Sequence, residues 1–481
     1  MFLSDPAYFL FLAIVFFLFY LLRRGEPRRL LLLVASYYFY FKLSGPCILI
    51  LFFITLVTYF GAKLLRSFKN KHSGLVLFII IALLLIPLLL FRYIAVFLSP
   101  SLRESLWMVV FPIGISFFTF AALGYLIDVY LEVVEPEESP SRVALFLAFF
   151  PLISAGPIER AGRFMSQFGL DLPFKSERAL LALRLIFTGL LMKVVLADRL
   201  AVPVDAVYDN LGASSALEKL CAVLCYPFVI YSDFAGYSLI AIGSAKLFGL
   251  EVRPNFLQPF LSTTIPEFWR CWHISLSSWV RDYLFASLRA ELRYYRNWGT
   301  AIALLISFVI LGVWHGAKVG YLIFGLMHGC YAVTSLFTLP WRDRMVVKLR
   351  IPASLVYIFR LVITFLLVSI ALVAFRADTM QQIVSIYLTL LSAAPFHELR
   401  ATILALLHHA NLESLGLIRQ FLWQFWVIPF ILIGDILARK DVRFESLPPI
   451  LQAIGYNVGL LFIVTYWLTH YGSQPFVYYK F

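Results

Sequence analysis

From Gly74 to Phe91 the chain carries no charged residue and a single proline. At about 1.5 Å per helical residue, such a stretch nearly matches the roughly 30 Å of a bilayer's hydrocarbon core. Runs of the same kind recur along the whole sequence. They are Pro6–Leu22, Leu30–Leu43, Pro46–Leu65, Leu106–Tyr130, Val143–Ala155, Ala179–Leu196 and Leu217–Phe248, then Thr300–Trp314, Val319–Phe337, Ser354–Phe375, Phe421–Ala438 and Ile454–Tyr471. In lipid every backbone N–H and C=O must bond within the chain, so runs like these become helices. Several are short enough to be re-entrant or joined. The expectation is one polytopic all-α membrane domain over 1–481, with about 11–13 helices.

Charge supports this reading. Only 14% of residues are charged, against roughly a quarter in ordinary soluble proteins. The net charge of +13 suggests nucleic acid until its placement is considered. The basic residues cluster between apolar runs, as in Arg23-Arg24-Gly25-Glu26-Pro27-Arg28-Arg29 and Arg66-Ser67-Phe68-Lys69-Asn70-Lys71. That is the pattern of cytoplasmic loops, so the partner is the lipid bilayer and not nucleic acid. No basic segment precedes the first apolar run and no small-residue cleavage site follows it. The run is therefore not a signal peptide, and the positive-inside rule puts the N-terminus outside. The five cysteines show no zinc spacing with histidine, so neither a metal nor a disulfide is assigned.

Two stretches hold the chemistry. The first is Thr264-Ile265-Pro266-Glu267-Phe268-Trp269-Arg270-Cys271-Trp272-His273-Ile274-Ser275-Leu276-Ser277-Ser278-Trp279. Pro266 suits a first helical turn. On a continuous helix Trp269, Trp272, His273 and Leu276 share a side. Two readings stay open, an interfacial helix with a tryptophan belt and a helix whose His273 lines a cavity and bonds a substrate oxygen. The second stretch is Ile310-Leu311-Gly312-Val313-Trp314-His315-Gly316-Ala317. His315 falls about 22 Å along the helix that starts near Thr300, which sets it deep in the membrane. An ionisable group at such depth is functional by default, and burial favours the neutral imidazole that a general base requires. Trp272, Ser277 and Trp314, beside the two histidines, are candidate substrate contacts. His328 has a similar apolar setting and reads as structural or supporting. His397, His408 and His409 read as surface residues in the mixed stretch Met380–Glu413. The final Phe476-Val477-Tyr478-Tyr479-Lys480-Phe481 reads by itself as an interfacial aromatic anchor.

Taken together these residues carry a resemblance. Phe268-Trp269-Arg270-Cys271-Trp272-His273-Ile274-Ser275-Leu276-Ser277, followed by Trp314-His315-Gly316-Ala317, resembles the membrane-bound O-acyltransferase (MBOAT) family. Phe150-Pro151-Leu152-Ile153-Ser154-Ala155-Gly156-Pro157-Ile158-Glu159-Arg160 and Tyr231-Ser232-Asp233-Phe234-Ala235-Gly236-Tyr237 are similar to its bacterial branch. That branch includes the membrane subunits of alginate and peptidoglycan O-acetylation and the D-alanyl transfer protein of teichoic acids. The resemblance is strongest over 111–329. It implies a helical bundle around a central tunnel in a bacterial cytoplasmic membrane, with His315 catalytic and His273 at a second polar position that is asparagine or aspartate in other branches. It further implies no bound cofactor, with acetyl-CoA or an acyl-carrier-protein thioester as donor. An extracytoplasmic acyltransferase partner would complete O-acetylation in exopolysaccharide or envelope synthesis. The terminal motif, 476–481, resembles one whose tyrosine holds the acyl group transiently, which points to Tyr478. Cys271 stands where a basic residue is common, and Val319-Gly320-Tyr321 with Phe324 replaces a more tryptophan-rich pattern. These departures bear on pocket shape and hence on the acyl group. D-alanyl transfer, a lipid-linked sugar flippase and a scaffold for an envelope complex are the competing readings.

Overall fold

Helix Pro6–Leu21 shows what surrounds this chain. Tyr8, Leu12, Val15 and Phe19 form its buried stripe, while Leu10, Phe17 and Leu21 on its other side are largely exposed. A helix apolar all round belongs in lipid. The computed structural model describes residues 2–68, 73–94, 112–169, 171, 173–407, 416–442 and 444–469. Among these, every regular element is a helix. Nine stretches are long and apolar enough to cross a membrane, and Pro6–Leu21, Ile115–Tyr130 and Met380–Leu391 are shorter apolar helices. One of the nine, Glu26–Ser67, is two helices, Glu26–Ser44 and Ile48–Ser67, joined by the tight turn Gly45–Cys47. The chain is an all-α integral membrane protein.

The chain divides into two compact units. One is Met1–Leu190 with Phe234–Asn255, and the other includes Leu191–Asp233 and Phe256–Thr469. The long helix Ala216–Leu247 begins in the second unit and ends in the first.

In the first unit the packing is aromatic. Tyr8, Phe11, Phe39 and Phe150 meet ring against ring, at 5.1–6.2 Å between centroids. The buried Tyr8 hydroxyl donates to Ser244 Oγ at 2.8 Å. The apolar run Val143–Ala155 does not form the expected helix. Helix Pro140–Ala148 stops early, because Pro151 disfavours helical backbone at the residue before it and has no N–H to donate. The irregular chain that follows is nonetheless buried, and its amide at Phe150 donates to Ser36 Oγ at 3.1 Å. Buried irregular backbone needs such partners.

In the second unit, helices Arg296–Trp314 and Val319–Lys348 approach backbone to backbone. A Cβ on Gly312 would lie 2.3 Å from the Tyr321 carbonyl oxygen and 3.1 Å from Gly325 Cα. Only glycine permits that contact. The mixed stretch Met380–Glu413 contains helices Met380–Leu391 and Ala394–Leu407. His397 is exposed on the latter; His408 and His409 lie outside the described residues.

Candidate active site

The segment before His273 is capped as its sequence suggests. Thr264 Oγ1 accepts from the Glu267 amide at 3.2 Å, and the Glu267 carboxylate returns to the Thr263 amide and hydroxyl at 2.7 and 2.9 Å. Helix Ile265–Cys271 then ends. Trp272 is extended, and His273 turns left-handed at φ +42° before helix Ile274–Trp279 begins. The expected single helical face is therefore broken between Trp272 and His273. Apolar periodicity could not register this, because the residues on both sides of the break are still drawn into the core. Trp272 is buried, stacked on Phe268 with centroids 5.4 Å apart and set edge-on to Phe256 at 5.1 Å. Ser277 Oγ donates to the Trp272 carbonyl at 2.9 Å, so this hydroxyl closes the break. His273 is 1% exposed. Its Nδ1 lies 3.5 Å from Ser275 Oγ, with the donor set by the ring tautomer. The residue stands between the spans Ala216–Leu247 and Arg293–Trp314. Burial pushes its imidazole down to about 3, which keeps it neutral.

His315 caps the C-terminus of the 19-residue helix Arg296–Trp314 and is 3% exposed. Its amide donates to the Gly312 carbonyl at 3.1 Å. Gly316, at φ +140°, turns the chain immediately afterwards. The rings of Trp314, Phe375, Tyr321 and Phe324 lie around the imidazole at 4.6, 4.8, 5.9 and 6.1 Å. Beyond Phe375, Arg376 is held by Asp205 at 2.7 Å.

His328 joins the two stretches. It is fully buried, and its Nδ1 accepts from Trp269 Nε1 at 3.2 Å. Phe324 stands 4.6 Å from His328 and 6.1 Å from His315, while Phe268 links His328 to Trp272. Both histidine stretches thus belong to one aromatic cluster. Tyr321, Phe324 and His328 are spaced i, i+3 and i+7, one helical face, and this is the signal that could have drawn His328 into the site. Tyr478 lies outside the described residues.

The model of the membrane-bound O-acyltransferase (MBOAT) family matches residues 138–375, a stretch holding both histidines. The chain is 34% identical over 312 residues to the probable alginate O-acetylase of Pseudomonas aeruginosa, covering 64% of this chain and 55% of that protein. It is 34% identical over 256 residues to the peptidoglycan O-acetyltransferase of Helicobacter pylori, covering 47% of each. With the teichoic acid D-alanyltransferase of Streptococcus thermophilus it shares 31% identity over 294 residues, 58% of this chain and 68% of that protein. The chain belongs to the membrane-bound O-acyltransferase family. It spans about half the length of the alginate relatives it matches.

One polar group in this MBOAT chain gave no signal in the sequence. Helix Ser176–Leu190 widens into a π-type turn, Leu191–Ala197. There Lys193, 1% exposed, bridges Asp198 at 2.7 Å and Asp233 at 2.6 Å. Tyr466 donates its hydroxyl to Asp198 at 2.9 Å. Two carboxylates reach the ammonium, and Tyr466 joins the group through Asp198. Asp233 was legible within Tyr231–Tyr237, but its partner was not. The neighbouring Tyr231 donates to Asp435 at 2.8 Å, tying the same helix to Val427–Arg439.

Proposed function

We propose that this protein transfers an acetyl group from a cytoplasmic thioester, acetyl-CoA or an acyl-carrier protein, to a hydroxyl on its way to an extracytoplasmic polysaccharide. It does so as a multi-pass protein of a bacterial cytoplasmic membrane with its N-terminus outside. What supports this above all is His315, enclosed in aromatic rings at the carbonyl end of its helix.

A thioester is already activated, so the demand falls on the acceptor. His315 takes the hydroxyl proton as the oxygen attacks the thioester carbon. The tetrahedral oxyanion is met by His273, which as a neutral imidazole can donate one N–H. Collapse breaks the C–S bond, and the thiolate leaves with the proton from His315. General-base assistance of this kind contributes about 10²–10⁴-fold, and holding both reactants in a tunnel that excludes water adds more. Trp272, Ser277 and Trp314 are the candidate substrate contacts in this scheme. No bound cofactor enters the scheme.

Tyr478 is the first acceptor in this reading. Its phenol leaves as an ester, and an extracytoplasmic acyltransferase passes the acetyl group to the polymer. The test incubates purified full-length protein with labelled acetyl-CoA, acetyl-carrier protein or D-alanyl-carrier protein in parallel. Label from an acetyl donor on Tyr478, found by mass spectrometry and lost in Tyr478→Phe, is the expected result. Label from the D-alanyl donor alone would move the protein to the teichoic acid branch, which the Streptococcus thermophilus relative favours. Lipid-linked sugar crossing vesicles without ester formation would make it a flippase.

A further inference from the structure

Between the broken helix around His273 and helices Arg296–Trp314 and Val319–Lys348 lies a cavity of about 580 Å³. That is well within the few hundred to about 1,000 Å³ of small-ligand sites. Neither His273 nor His315 is among the residues lining it, so an occupant here is not presented to either imidazole. A reacting thioester would have to reach them. The lining mixes two chemistries. Leu304, Phe308, Leu311, Leu336 and Leu339 make much of it apolar, and Arg270 and Arg281 add two cations. No acidic residue is among the described residues that line it. Arg281 pairs with the exposed Asp282 at 2.8 Å, whereas Arg270 is exposed and forms no ion pair among the described residues.

The hydroxyls sharpen the choice of ligand. Ser277, Ser278 and Ser307 all donate their protons to backbone carbonyls, at 2.9, 3.0 and 2.7 Å. They offer lone pairs and no proton to a ligand, so the guanidinium groups alone select for charge. An occupant that satisfies both kinds of lining has a hydrocarbon chain and an anionic phosphate. We propose that the cavity holds one acyl chain and the headgroup phosphate of an anionic phospholipid, whose second chain remains in the bilayer. Ile274, Ser277 and Ser278 belong to the short helix that His273 caps, so an occupied cavity also steadies the backbone of that histidine.

The proposal is tested with purified, delipidated full-length protein titrated by dioleoyl-phosphatidylglycerol or dioleoyl-phosphatidylcholine and read by native mass spectrometry. One phosphatidylglycerol binds per chain, at least about tenfold tighter than phosphatidylcholine. A basic side chain near an anionic lipid surface is worth about fivefold, so the double change Arg270→Gln with Arg281→Gln removes most of that preference. Ser335→Trp fills the cavity and removes the site for either lipid. Brominated phosphatidylglycerol quenches a share of tryptophan fluorescence that is absent in Trp269→Phe, which reads the site without any filling variant. Equal binding of the two lipids, an undiminished preference in the double variant, or displacement of the lipid mole for mole by acetyl-CoA would each overturn the proposal. The last result would give the cavity to the acyl donor.

Discussion

Trp269 donates its indole N–H to Nδ1 of His328 across 3.2 Å, and this fixes the proton of the neutral ring on Nε2. That Nε2 is buried and meets no hydrogen-bond partner among the described residues. The Trp269 bond is thus what orients an otherwise apolar-packed imidazole between the two candidate catalytic stretches. Replacing Trp269 with phenylalanine leaves the acceptor unsatisfied, which costs about 1–3 kcal/mol. Thermal unfolding in detergent checks this. An unchanged midpoint would mean that ring packing alone holds His328.

His315→Ala removes the proposed base. Acyl transfer falls by about 10²–10⁴-fold while the detergent-solubilised protein stays folded, with a lower melting temperature because a buried ring is lost. Labelled-donor turnover under saturating acceptor measures it. Activity within a few fold of wild type would transfer the role to another group.

His273 carries a pH signature. Its imidazole sits at about 3 in the fold and near 6.5 in the unfolded chain. Below pH 6.5 the unfolded state binds a proton that the native state refuses, so stability falls with falling pH until about pH 3 and is flat above pH 6.5. The slope is about 1.4 kcal/mol per pH unit, or roughly 2 kcal/mol between pH 6.5 and 5. Melting curves of wild type and His273→Asn over this range should converge as pH drops. Parallel curves would mean that the ring is hydrated or already charged in the fold.

Lys193 answers two carboxylates at once. Lys193→Met leaves Asp198 and Asp233 facing each other in the core, and loss of one partner from a buried ionic group costs about 3–5 kcal/mol. Expression and melting temperature both drop. Asp198→Asn, which keeps one carboxylate for the ammonium, is milder. Equal tolerance of both changes would show that water reaches the group.

How much of this was legible beforehand depends on the range of each signal. The helix ending at His315 could be read from residues within a turn of it, because its apolar run and its flanking glycines are local. So was the all-helical membrane class, since each span announces itself. The break at His273 was not legible: a period of 3.6 runs on through a residue that leaves the helix when its neighbours remain apolar. The run at Val143 overshot for the converse reason, Pro151 outweighing the hydrophobicity around it. The Lys193 group was out of reach, because Asp233 and Tyr466 become its neighbours only when separate helices pack. His328 lay between these cases, with a readable face but no sequence cue that the face meets Trp269.

The left-handed backbone at residue 273 limits what evolution can place there. Glycine accepts that conformation freely, and asparagine, aspartate and histidine are the side chains that tolerate it best. Three of those four end in a group able to bond an oxygen. Stereochemistry therefore sieves the position towards useful chemistry before any selection for turnover acts, and asparagine and aspartate are the replacements for histidine that the chain geometry here most readily admits.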